Sequence, residues 1–199
     1  MERRIEKLSI EEGKKVYCER LVEDFPACEV KPWEKIEQFT EAGLYDMFGM
    51  WEEGVLLAYA FVAMDVSKKH LLMDYFAVSN DWRGKGYGQY FLAHLWELYP
   101  DTTGVIFEVE DVEEAVNEQE RVLRKRRIHF YEKVGLQMYP VCARVYGACY
   151  QLMFFSNTEI MPDTERIIEG YKALYRVILG VEKMKKHMEI IEKKVICAK

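Results

Sequence analysis

Between an apolar run and an amphipathic one, the chain reads DYFAVSNDWRGKGYGQYFLAHLW, with Gly84, Gly86 and Gly88 two residues apart and Arg83 and Lys85 among them. A strand, a glycine loop and a helix in that order make an anion site. The first-turn N–H groups of the helix have no intrahelical partner, and its dipole adds about half a positive charge there. Glycines let the backbone take positive φ and approach a ligand closely. Phosphate binding is the chemistry on offer, and two common phosphate loops do not fit. The P-loop requires G-x-x-x-x-G-K-[ST], and no Lys-Ser or Lys-Thr follows these glycines. The dinucleotide fingerprint requires G-x-G-x-x-G; its third glycine would fall on Gln89 counted from Gly84, or on Phe91 counted from Gly86. The pattern that fits is R-x-x-G-x-G, running from Arg83 to Gly88.

That pattern resembles the acetyl-CoA pyrophosphate loop of the GNAT N-acetyltransferase superfamily, [QR]-x-x-G-x-[GA]. The same family places [FL]-Y-x-x-x-G-[FL] at the end of the helix after the next strand. Here IHFYEKVGL supplies Phe130, Tyr131, Gly135 and Leu136. The resemblance runs from about Ile5 to Phe155. It implies an N-acetyltransferase with acetyl-CoA as co-substrate and no metal, passing the acetyl group to a primary amine by direct attack. The acceptor is either a small cationic amine or a peptide or protein amine. The alternative is a non-catalytic CoA-binding regulatory or interaction module with the same fold.

Roles follow by position within the resemblance. The backbone of Arg83, Gly84, Lys85, Gly86, Tyr87, Gly88 and Gln89 would hold the pyrophosphate, with Arg83 and Lys85 adding charge. Phe76, Ala77 and Val78, on the preceding strand, would pair through their backbone with the pantetheine arm. The N–H of Val78 would polarise the thioester carbonyl; preorganised donors of this kind are worth roughly 2.7–4 kcal/mol. Tyr131 would give a proton to the leaving thiolate, and Glu108 or Glu110 would take one from the amine. The two glutamates share a strand face by the period of two, and together they would attract a cation. Asp74 is a further candidate base. One departure from the family is Lys125, where many members carry asparagine against pantetheine. A second is the long acidic segment EDVEEAVNEQERVLRK ahead of the tyrosine helix.

The elements that must position these residues are legible in outline. EEGKKVYCERLVEDFPACEVKPWEKIEQFTEAG reads as two helices separated around Pro26 and Pro32. LYDMFGMWEEGVLLAYAFVAMDV reads as a hairpin turning at Glu52 to Gly54, and HLLMDYFAV as the strand entering the loop. GYGQYFLAHLWELYP is a helix stopped by Pro100, and GVIFEVEDV a strand. The tyrosine helix ends at Gly135, and LQMYPVCARVYG and CYQLMFFSN are two further strands. The expected fold is α/β (α+β), with a GNAT-like mixed central β-sheet of about six to seven strands, flanking helices and a C-terminal helical extension. Residues 1–160 form the acyltransferase domain and residues 161–199 the extension. In the extension, Ile167, Tyr171, Leu174, Ile178 and Val181 make a helical apolar stripe that docks either on its own domain or on a second copy in a homodimer.

Bulk properties agree. The chain of 199 residues is half hydrophobic, enough for a packed core, and its net charge of -6 argues against a nucleic-acid module. Cysteine occurs five times without C-x-x-C spacing, which reads as reduced thiols in a cytoplasmic protein rather than a disulfide or zinc framework. The N-terminus is charged where a signal peptide would be apolar, and no membrane-length apolar run occurs.

Overall fold

The computed structural model describes residues 3–193, which divide into two compact units. The first unit takes residues up to Met64 together with Met73–Pro100. Strand β1 (Arg4–Lys7) leads into α1 (Ile10–Val16), whose start is a capping box: Ser9 Oγ accepts from the Glu12 N–H while the Glu12 carboxylate accepts from the Ser9 N–H. The helix loosens into a π turn at Tyr17–Leu21 and a short α2 (Val22–Asp24). Pro32 then caps α3 (Trp33–Glu41). The predicted hairpin is β2 (Tyr45–Glu52) and β3 (Val55–Met64), turning through Glu53 and Gly54, both at positive φ. Strand β4 (His70–Val78) follows, and the strands run in the order β1-β2-β3-β4. β3 is buried on both faces from Leu57 onward, so its sequence is a continuous apolar run instead of an alternating one. Helix α4 (Tyr87–Leu95) buries Phe91, Leu92 and Leu95.

The second unit takes Asp65–Leu72 and everything from Asp101 on. β5 (Gly104–Glu110), α5 (Glu118–Lys133), β6 (Gln137–Val145) and β7 (Ala148–Ser156) lie where the sequence places them. β5 pairs antiparallel with β7, setting Glu108 opposite Leu152 and Glu110 opposite Tyr150. The β6–β7 hairpin turns at Tyr146 and Gly147, again both at positive φ. Asn117 caps α5 by accepting from the Glu120 N–H.

The C-terminal segment forms α6 (Thr164–Ile178) and α7 (Val181–His187), then departs from the expected helical extension. Met188–Glu192 is a strand, β8, paired antiparallel with β6. The edge of β6 supplies the backbone partners that hold MEIIE extended. With β1 and β8 the strands number eight among the described residues, against the six to seven expected. Helix α6 buries Ile167, Ile168, Tyr171, Leu174 and Tyr175 within its own chain. Gly170 of this helix faces His70: a Cβ there would lie 2.5 Å from its ring.

Candidate active site

The loop in the first unit has the geometry its composition suggested. A single 3-10 turn at Asn80–Trp82 ends β4, and Gly84 and Gly86 take φ of 75° and 84°. Gly86 is the N-cap of α4, and no side chain caps that helix. Its first-turn N–H groups are therefore left for a ligand. A Cβ placed on Gly84 or Gly86 would meet nothing within 4 Å. Glycine is thus required by the left-handed backbone, while the space above the loop stays open. Tyr87 and Gly88 are buried beneath, and Gln89 is exposed. An anion such as a pyrophosphate fits this cradle on the donors' chemistry.

The two cations of the loop differ. Arg83 turns back: its Nε donates to the Val78 carbonyl at 3.0 Å, and Nη2 lies 3.8 Å from Asp24 Oδ1. It braces the corner between strand and loop. Lys85 is exposed, with Nζ 4.6 Å over the Trp82 ring. On β4, Ala77 is buried, and the Phe76 ring packs 5.6 Å from that of Phe91. Asp74 is already committed: Lys31 Nζ lies at 2.6 Å and the Tyr45 hydroxyl at 2.5 Å, with the carboxylate 5% exposed. It is a buried structural ion pair, and neither partner was visible in the local sequence.

In the second unit, Tyr131 is buried, with its ring 4.9 Å from that of Phe107. Burial pushes its phenol up to about 12, partly offset by Arg127. It stays protonated at neutral pH, so it is a donor. Among the described residues its hydroxyl has no hydrogen-bond partner. The two glutamates of β5 share a face, as expected, but not a state. Glu110 is tied to Arg127 at 2.7 Å and to Arg124 at 3.4 Å. These arginines therefore serve the protein. Arg124 also donates to the Asp111 carbonyl and bonds Glu120. Glu108 accepts instead from two phenols, Tyr171 and, at 2.6 Å, Tyr175. Burial and the nearby Glu108 hold the Tyr171 phenol well above its ordinary value, so it remains a donor. The apolar stripe of α6 had marked Tyr171 as packing; no sequence signal tied it to an acid on β5.

Residues 44–137 match the family model described as the acetyltransferase (GNAT) domain. No curated protein sequence matches the chain. Among solved structures, one described as an acetyltransferase from the GNAT family of Bacteroides thetaiotaomicron is 23% identical with a TM-score of 0.69, covering 89% of this chain and 99% of its own. The ribosomal-protein-S18-alanine N-acetyltransferase of Escherichia coli is 17% identical with a TM-score of 0.56, covering 81% and 98%. Spermidine N-acetyltransferase from Vibrio cholerae, in complex with CoA and spermine, is 10% identical with a TM-score of 0.56, covering 78% and 95%. The fold is therefore that of the GNAT acetyltransferases. The match to that family's model lies in residues 44–137.

Proposed function

We propose that this protein transfers the acetyl group of acetyl-CoA to a primary amine by direct attack. The observation that carries this reading is the uncapped N-terminus of α4, preceded by Gly84 and Gly86 at positive φ with open space above them. Acetyl-CoA supplies an activated thioester whose sulfur is the leaving group. The loop from Arg83 to Gln89 binds its pyrophosphate through backbone N–H groups and Lys85, with Arg83 holding the loop's shape. The backbone of Phe76, Ala77 and Val78 aligns the pantetheine arm, and the Val78 N–H donates to the thioester oxygen as charge builds there.

The amine nitrogen forms a bond to the carbonyl carbon as the carbon–sulfur bond breaks. The amine proton passes to Glu108, directly or through water, and Tyr131 gives its proton to the departing thiolate. Glu110 holds Arg124 and Arg127, and Glu108 is the base of the pair in this reading. Cys142 is no rival nucleophile, because burial pushes its thiol up to about 12. Among the described residues no helix is long and apolar enough to cross a membrane. A cytoplasmic setting, which keeps the buried thiols Cys142 and Cys149 reduced, belongs to the same proposal.

The acceptor class in this proposal is a primary amine. The relatives' substrates suggest the two test amines, a polyamine and an N-terminal alanine peptide. The test follows release of free thiol from acetyl-CoA with spermidine and with a short peptide beginning in alanine. Turnover that disappears in Glu108→Gln while acetyl-CoA still stabilises the protein supports the reading. Binding of acetyl-CoA with no turnover on any primary amine would refute it and leave a CoA-binding module.

A further inference from the structure

The C-terminal helix lies outside the residues that match the family model, yet it delivers two side chains to the acid on β5. Tyr171 and Tyr175 are one helical turn apart, so both phenols leave the same face of α6. Their rings sit 4.6 Å apart, and both hydroxyls donate to a single atom, Glu108 Oε1. Tyr171 is fully buried and Tyr175 nearly so. The helix that carries them is fixed at several points. Asp163 caps it by accepting from the Arg166 N–H at 2.9 Å, and the Tyr139 hydroxyl donates to the Pro162 carbonyl at 2.7 Å just before it. Gly170 lets its backbone approach the His70 ring.

A buried phenol needs one acceptor, and a backbone carbonyl would serve. Two phenols converging on one carboxylate oxygen do something else: they fix the torsion of that carboxylate and direct one of its oxygens. We infer that Tyr171 and Tyr175 are positioning residues for the acetyl transfer, holding the Glu108 carboxylate in the orientation in which it receives the amine proton. The C-terminal extension then completes the catalytic apparatus and is not merely a cover for an apolar stripe. This inference rests on the proposed reading of Glu108 as the base.

The test is a mutant cycle on the full-length protein, with acetyl-CoA and, in parallel, spermidine and an alanine-initiated hexapeptide as acceptors. Tyr171→Phe and Tyr175→Phe remove only a hydroxyl each. Together they lower kcat by about 10²-fold, the scale of loss that a misplaced catalytic group gives, and leave the KM for acetyl-CoA unchanged. In a Glu108→Gln background the same two changes add less than about a twofold further loss, because residues acting through one group are not additive. Tyr139→Phe is the control for stability. It loosens the lead into α6 without touching Glu108, so it lowers the melting temperature and leaves kcat alone.

The outcomes separate. If the wild-type protein turns over neither amine, the functional reading falls and takes the inference with it. If Glu108→Gln is fully active, the base assignment falls. If Glu108→Gln is inactive while the double phenylalanine variant matches wild type, or while its loss is additive with that of Glu108→Gln, the positioning role alone is overturned. A kcat that tracks melting temperature equally in all variants, Tyr139→Phe included, also overturns it.

Discussion

At the scale of single residues, the candidate site depends on how each charge is already spent. Asp74, Glu108 and Glu110 all look available in the sequence, yet Asp74 holds Lys31, Glu110 holds two arginines, and Glu108 receives two phenols. Gly86 has a different constraint, its φ of 84° at an uncapped helix start. Gly86→Asp strains that backbone and puts negative charge where an anion binds. The thermal stabilisation by acetyl-CoA, about 2.7 kcal/mol at a hundred times Kd in the wild type, should vanish. Retained stabilisation, measured by a melting scan with and without ligand, would show that the loop is not the site. Tyr131→Phe removes a donor that burial keeps protonated. It should lower kcat by roughly 10²-fold with little change in acetyl-CoA affinity, as separate turnover and binding measurements would show.

At the scale of elements, strand β4, the glycine loop and α4 form a contiguous unit whose shape follows from local chemistry. The loop was legible in the sequence because positive φ and unsatisfied amides are properties of neighbouring residues. The same holds for the Glu53–Gly54 turn. The last strand was less legible. MEIIE follows a short amphipathic helix, and only the unpaired edge of β6 decides that it extends. Seating of α6 is a tertiary matter as well. Gly170→Val would push a side chain into the His70 ring, which a Cβ alone would approach to 2.5 Å. Overpacking of this kind should cost about 1–3 kcal/mol in chemical denaturation. An unchanged denaturation midpoint would mean that α6 shifts freely and is not held at this contact.

At the scale of the whole molecule, the C-terminal segment belongs to the second unit by its buried contacts. Its last described residue, Lys193, lies 2.9 Å from the carboxylate of Asp111. The sulfurs of Cys142 and Cys149 complete a buried group, with all these ligand atoms of Asp111 and the thiols within 4.8 Å of one another; Lys193 supplies its cation. Burial works to raise Asp111, but the Lys193 ammonium and the Glu113 N–H outweigh it and hold the carboxyl below its ordinary value. A depressed folded-state pKa contributes stability above the unfolded-state value, which is lost as pH falls through the folded one. Stability should therefore fall below about pH 4, and Lys193→Met should move the acid-unfolding midpoint to higher pH. Coincident acid-unfolding curves for the two proteins would exclude the contribution. The sequence by itself pointed to the donor proposed above, because the loop and the Phe130–Leu136 element are contiguous motifs legible from their spacing. Only the tertiary structure decided which acid receives the phenols of α6. Glu108 and its phenols are separated by 63 and 67 positions, and such partners are set by strand register and helix docking, which no local periodicity encodes.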